Sequence, residues 1–256
     1  MNLGVSMAKY DRVVFSDVRQ QLTCNSIRRL VNPLNDPDIG AVSACLAPRT
    51  GKKSYSILRW YENFLKKLES RTGNLIGVYG PLYAIRKEYF RPIPQYIILD
   101  DLYNGLSILG TKKVIIMDNC QIIDEDFSKL YDYRRSRRYL LGFLQILFED
   151  SLISRLNGRQ RIMLFWHKYI RLLLPVLFLA CYVVSGILGL NHPGYLILFG
   201  LMTLLGFLSV WPALNKYNFK LRDFVRINVY YMGALIEILI ERSFSKPVRY
   251  NTTHKK

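Results

Sequence analysis

The stretch Asp11-Arg12-Val13-Val14-Phe15-Ser16-Asp17 sets an apolar run of β-branched and aromatic residues between charges and ends it on a carboxylate. Such a run predicts the central strand of a parallel sheet covered on both faces, with Asp17 delivered to its carboxyl end. The chain downstream supplies partners for it. Ile27, Leu30, Val31 and Leu34 recur at helical spacing within residues 25–34, which close on the turn cluster Asn35-Asp36-Pro37-Asp38. Residues 39–46 (IGAVSACL) read as a second strand. Residues 55–70 read as an amphipathic helix with Tyr55, Leu58, Tyr61, Leu65 and Leu68 on its apolar stripe. Strand-like segments follow at 75–79, 82–86 and 113–117, the last preceded by a helical stretch over 100–110. Strands alternating with helices predict an α/β sheet.

The second half changes character. With 256 residues, one or two domains are expected, and 50% hydrophobic residues with a mean hydropathy of +0.08 is rich for a wholly soluble protein. The apolar residues concentrate in two tracts, Leu172 to Leu190 and Tyr195 to Leu214, neither of which holds a charge. At about 1.5 Å per residue each is long enough to cross a hydrocarbon core of about 30 Å. The link Asn191-His192-Pro193-Gly194 is a tight turn without Lys or Arg, so the tracts form a hairpin. Arg161, Lys168 and Arg171 precede it; Lys216, Lys220, Arg222 and Arg226 follow it. The positive-inside rule then makes the chain an integral protein of the cell (inner) membrane with residues 1–168 and the C-terminal tail cytoplasmic. Charges among the first twenty residues exclude a cleaved signal peptide there. Residues 225–240, interrupted by Arg226 and Glu237, predict an amphipathic interfacial helix.

The formal net charge of +17 invites a nucleic-acid partner. Its dispersion, without a zinc-finger, RNP or helix-turn-helix signature, argues against one and for a face resting on anionic lipid, with an anionic substrate as a second contributor. Cys24, Cys45, Cys120 and Cys181 lack metal-ligand spacing and fit a reduced compartment. His167, His192 and His254 form no cluster, and His167 beside Lys168 reads as an interfacial residue.

The ordered set RVVFSDVRQ (12–20), DPDIGAVSACL (36–46), RWYENFLKKLESRTG (59–73), YGPLYAIRKEYFRPIP (79–94), ILDDL (98–102) and YRRSRRYLLGFLQIL (133–147) resembles the family two glycosyltransferases. These include the membrane-bound synthases of hyaluronan, chitin, cellulose and bacterial exopolysaccharides. The hairpin and the closing KPVRY (246–250) resemble the same family's C-terminal membrane region. The resemblance implies a partial GT-A-like domain, Rossmann-like with a mixed sheet, over 1–160 and a membrane region over 161–256. It also implies inverting sugar transfer from a nucleotide sugar to a polysaccharide or glycolipid at the cytoplasmic membrane face.

Each motif has a chemical reason. A departing diphosphate must be neutralised, which a hard divalent cation held by a carboxylate can do. The resemblance puts Asp17 at the first position of an Asp-X-Asp-like motif and implies Mg2+ or Mn2+. The motif here reads Asp17-Val18-Arg19, so one carboxylate must hold a cation that the diphosphate also binds. The acceptor hydroxyl needs a base, and Asp100-Asp101 match the family's acidic pair, whose second member implies Asp101 as base with Asp100 shaping the site. Read without the resemblance, the pair is an N-terminal cap for the following helix.

Arg134 to Arg138 (RRSRR) resemble the segment whose arginine holds the nucleotide diphosphate, and a guanidinium fork suits phosphate oxygens. Arg135 and Arg137 are the candidates there. Arg134 and Arg138, at the expected Gln and Trp positions, are shared with a lipid-facing reading. In the segment 80–87, Gly80 permits close approach of a sugar and Tyr83 offers it an aromatic face, the alternative being a turn into a core strand. Trp60 and Glu62 serve sugar stacking and support or the helix's packing surface, and packing is favoured for Trp60.

In that family the stretch resembling residues 1–17 lies midway through the catalytic domain, so the resemblance implies that the nucleotide-recognition half is absent, through truncation, a split gene with a separate chain supplying that half, or a misplaced start codon, and that these 256 residues alone are inactive. The alternative is a non-catalytic, membrane-anchored remnant or partner subunit.

Overall fold

The structure, a computed structural model, describes residues 1–18, 21–47, 57–123, 133–211 and 220–243. The chain forms two compact units, Met1–Leu130 with Gly142–Ile170, and Tyr131–Leu141 with Arg171–Lys256.

The first unit opens on helix α1 (Asn2–Met7) and strand β1 (Arg12–Ser16). Strand β2 (Gln21–Leu22), helix α2 (Ser26–Val31) with a 3-10 turn over Asn32–Asn35, and strand β3 (Ile39–Ala47) follow. Next come helix α3 (Ile57–Arg71), strand β4 (Leu82–Arg86), helix α4 (Asp100–Leu109) and strand β5 (Lys113–Ile123). Among the described residues the strands make one mixed sheet, ordered β1-β4-β3-β5-β2. Only β3 and β5 pair in parallel; β1–β4, β3–β4 and β2–β5 are antiparallel. The core lies where β3, β4 and β5 meet α4, with Val42, Ala44, Leu82, Ile85, Leu106 and Val114 all fully buried.

The fold class is therefore the expected α/β one with a mixed sheet, but three local expectations fail. The first strand is not central and parallel. It lies at the sheet's end, half-buried, and pairs antiparallel with β4 in the register Val13↔Ile85, Val14↔Ala84 and Phe15↔Tyr83. Its apolar run serves cross-strand packing, since the Phe15 ring stacks on Tyr83 at 4.6 Å, a contact of about 1 kcal/mol beyond burial. The second failure is residues 75–79, which form no strand. Leu75 and Ile76 are fully buried, yet Gly77 turns at φ +81°, and the segment's polar groups go largely to side chains. The third is the stripe on α3. Tyr61, Phe64 and Leu68 face out, while Lys66 and Glu69 are buried. Tyr55 and the side chain of Trp60 lie outside the described residues.

Beyond β5, helix α5 (Tyr133–Leu147) is divided between the units at 141/142. Helices α6 (Asp150–Ile153) and α7 (Gly158–Leu164) complete the first unit. Asn157 and Gln160 form a reciprocal capping box at the start of α7, and Gln160 also donates to Asn74 Oδ1 at 2.9 Å and to the Leu109 carbonyl at 3.2 Å. That anchoring carries the unit past residue 160, through a π-helical turn over Phe165–Tyr169, to Ile170.

In the second unit, helices α8 (Ile170–Gly189) and α9 (Pro193–Val210) flank the turn at Asn191-His192, and α10 (Lys220–Ser243) follows. Leu172–Gly189 is long and apolar enough to cross a membrane, with mean hydropathy 2.4 over 18 residues, 11% of them buried. The apolar part of α9, Pro193–Ser209, is shorter, and Trp211 after it is extended. The expected end of that tract at 212–214 lies outside the described residues, as does 246–250.

Candidate active site

Strand β1 runs parallel to β3 and β5, because both β1 and β3 oppose β4. Its carboxyl end is thus at the carboxyl ends of the parallel pair, where α/β sheets bind ligands. Asp17 follows it, its backbone N–H donating to the Pro81 carbonyl at 3.0 Å, with its side chain exposed. Gly80 is the next residue back from Pro81. A Cβ added at Gly80 would stand 2.9 Å from Asp101 Oδ2, closer than real Cβ contacts come. Glycine is therefore what lets the Asp101 carboxylate lie against this turn.

Asp100 and Asp101 occupy the first turn of α4, where the helix dipole favours negative charge. Asp100 Oδ1 accepts the Asp101 N–H at 2.9 Å, and Asp101 Oδ1 accepts the Leu102 N–H at 2.8 Å. The cap position is Leu99, without a side-chain cap bond, so the pair is not the N-cap of the plain reading but sits in the first turn, each carboxylate accepting the next residue's N–H. For Asp101 this leaves Oδ2 as the oxygen on the Gly80 side. Burial pushes its carboxyl above the usual aspartate range and Asp100 adds to the rise, while the Leu102 amide, Lys66 and Lys168 pull it back. A carboxylate raised in this way is better matched to accepting a proton near neutral pH.

Of its two sequence readings, Tyr83 takes the second, a turn into a core strand. It is fully buried, stacked on Phe15, and its hydroxyl accepts from Asn104 Nδ2 at 2.9 Å. Its aromatic face is occupied by protein, so it forms the floor beneath Gly80-Pro81 rather than a sugar platform. The arginines belong to the second unit. Arg134 and Arg138 are exposed; Arg135 Nη2 donates to the Tyr139 hydroxyl at 3.2 Å. Arg137 Nε pairs with Glu237 Oε1 at 3.0 Å, and Glu237 Oε2 also accepts from the Tyr133 hydroxyl at 2.6 Å. The structure thus brings Asp17, Gly80, Asp100 and Asp101 to one end of the sheet and ties Arg137 into its own unit.

Sequence reasoning missed a buried ionic group beside this site. Glu69 Oε1 lies 2.6 Å from His167 Nδ1 and Glu69 Oε2 accepts the Ile76 N–H at 2.9 Å. Lys66 Nζ donates to the Gly77 carbonyl at 3.0 Å, and Lys168 Nζ is 3.8 Å from Glu62 Oε1. His167 and Lys168 are 3% and 7% exposed, so His167 is a buried partner of Glu69 and not an interfacial residue. The available signal was the spacing of Glu62, Lys66 and Glu69 at i, i+4 and i+7, which puts three charges on one helical face.

Among the described residues no group of three His, Cys, Asp or Glu side chains is placed to hold a metal ion. The exposed Asp17 fits the other mode, in which Mg2+ takes one carboxylate and completes its shell with substrate phosphates and water.

No family model matches the sequence, and no curated protein matches it. Among solved structures, the mannosyltransferase PcManGT from Pyrobaculum calidifontis, in complex with GDP-Man and Mn2+, is similar at 15% identity with a TM-score of 0.66. The likeness covers 94% of this chain and 66% of that one. S. aureus TarS 1-349 aligns over 100% of this chain at 11% identity but with a TM-score of only 0.38. At such an identity the mannosyltransferase likeness establishes the fold alone, and this chain spans about two thirds of that chain's length.

Proposed function

We propose that this chain is a GT-A-like glycosyltransferase that moves a sugar from a nucleotide sugar to a polysaccharide or lipid-linked acceptor at a membrane face. The observation that carries the reading is the juxtaposition of Asp101 Oδ2 with Gly80, one residue from the Pro81 carbonyl that holds Asp17. A proton acceptor and a cation ligand then stand at one end of a sheet whose fold is that of a mannosyltransferase.

In this reading the acceptor hydroxyl attacks the anomeric carbon from the Asp101 side, and its proton passes to Asp101 Oδ2. The bond from that carbon to the nucleoside diphosphate breaks, the diphosphate leaves with the electron pair, and the anomeric configuration inverts. Asp17 would hold a divalent cation, which would supply Lewis-acid neutralisation of the leaving diphosphate. Asp101 Oδ1, bonded to the Leu102 amide, fixes the carboxylate so that Oδ2 alone receives the proton. Arg134, Arg135 and Arg137 are the candidate diphosphate donors, Arg137 being paired through Nε with Glu237. The membrane face is supported by Leu172–Gly189 and by the basic residues on either side of the apolar hairpin.

The reading is tested with the full chain purified in detergent and titrated calorimetrically with GDP-Man, UDP-GlcNAc and the free diphosphates, with Mg2+, with Mn2+ and with chelator. Transfer is followed in parallel by release of nucleoside diphosphate. Cation-dependent binding of a nucleotide sugar that Asp17→Asn weakens is the expected result. Binding indifferent to both cation and Asp17 would count against it.

A further inference from the structure

Helix α3 turns a polar face to the interior. Glu69 holds the Ile76 N–H, Lys66 holds the Gly77 carbonyl, and the Lys66 ammonium lies 3.5 Å from the centroid of the Tyr79 ring, over its face. Ser43 Oγ of β3 accepts the Tyr79 N–H at 2.8 Å. These contacts replace the ladder that a strand would have given this segment. On its other side the segment rests on α4. A Cβ at Gly77 would meet Leu102 Cδ1 at 2.8 Å, a Cβ at Gly105 would meet Gly77 Cα at 3.1 Å, and Gly80 abuts Asp101. Four residues of backbone, Gly77 to Gly80, therefore separate a buried ammonium from the carboxylate assigned as base.

A buried ammonium is costly, and a well-packed apolar side chain of similar volume would hold the segment at least as stably. Lys66 is 2% exposed; burial first and Lys168 second pull its ammonium down to about 7, against the opposing pull of Glu62, Asp101 and Glu69. A lysine in this place has a use that packing alone does not give.

We propose that Lys66 is a positioning residue for Asp101: it pins the segment Gly77–Gly80 against α4 and sets its ammonium behind the stretch of backbone on which the Asp101 carboxylate rests. The inference rests on the reading of Asp101 as the base, but the coupling between the two side chains is measurable without turnover. The charged and titratable groups that face Asp101 are Asp100 on its own helix, Lys66 on α3, Lys168 after α7 and Tyr83 on β4, and Lys66 in turn faces Glu62 and Glu69 on α3. Of these, Lys66 is the one hydrogen-bonded to the segment that Asp101 touches.

The test is a titration of Asp101 by NMR in full-length protein labelled at aspartate Cγ, the resonance being assigned by its loss in Asp101→Asn. Lys66→Gln keeps a donor for Gly77 and removes the charge; Lys66→Arg keeps both. The Asp101 midpoint is expected to rise by about half a pH unit or more in the glutamine variant and to stay near the wild-type value in the arginine variant. An unchanged midpoint in folded Lys66→Gln overturns the proposal. Coupling is reciprocal, so a second measurement covers the case in which that variant does not fold. With lysine labelled at Cε, the Lys66 midpoint must fall in Asp101→Asn by a comparable amount, and an unmoved Lys66 also overturns the proposal. If the midpoints move while Asp101→Asn turns over normally, the coupling stands and the base assignment fails.

Discussion

Asp101 and Gly80 act as one feature, and the strength of each assignment comes from the other. The resemblance named both from separate motifs about twenty residues apart, and the structure brings the Asp101 oxygen against the glycine's missing Cβ. Gly80 is not in the left-handed region, so alanine there strains no backbone; the atoms nearest its added methyl are Asp101 Oδ2, Cγ and Cβ at 2.9, 3.3 and 3.4 Å. Gly80→Ala is therefore expected to change the thermal midpoint little and to lower turnover about a hundredfold by displacing Oδ2, the scale on which misplacement by about 1 Å is felt. Parallel melting curves and rates check this; equal loss of stability and activity would mean a packing role. Tyr83 shows the opposite outcome for the same motif. An aromatic residue three positions after a turn reads alike whether it greets a sugar or stacks on Phe15, and only the pairing of β1 with β4 decides.

At the scale of elements, α3 shows why the interior was harder to read than the site. Its apolar stripe was legible, but hydrophobic periodicity assumes that the buried face is the apolar one, and here Lys66 and Glu69 go inside while Tyr61, Phe64 and Leu68 stay out. Residues 75–79 failed for a related reason: an apolar run predicts burial, which holds, but not a ladder, which α3 and Ser43 replace. The buried pair also gives the first unit a pH dependence. Burial raises the Glu69 carboxyl from its ordinary 4.5 to about 7, so in that interval the folded chain holds a proton that the unfolded chain has released. Stability must then fall as pH rises from about 4.5 to about 7. Glu69→Gln has no proton to lose, and the difference between its melting midpoint and the wild type's is expected to widen in its favour towards pH 7. A constant difference across that range would show that Glu69 is ionised throughout, held so by Lys66, Lys168 and His167.

For the whole molecule, the α/β class with a mixed sheet and the apolar helices at 170–189 and 193–210 were legible, since each rests on a long pattern. The position of β1 at the sheet's end was not, because a continuous apolar run looks the same at an edge stacked with aromatics as at a centre. Nor was the extension of the first unit to Ile170, which depends on Gln160 and His167 finding partners some ninety residues away. The charge asymmetry of the apolar hairpin makes its own prediction. In protein expressed in intact cells without its four native cysteines, His192→Cys is expected to react with an impermeant maleimide from outside and Arg222→Cys only after the membrane is opened. The reverse pattern would put the sheet and Asp101 on the other side of the membrane.

The central claim, that Asp101 is the proton acceptor of a sugar transfer, is tested most directly by Asp101→Asn in the full chain, with turnover and donor binding measured on the same preparation. Asparagine preserves shape and removes proton acceptance, so turnover is expected to fall about a hundredfold or more while nucleotide-sugar affinity stays within a few fold. Near-normal turnover in that variant would contradict the account.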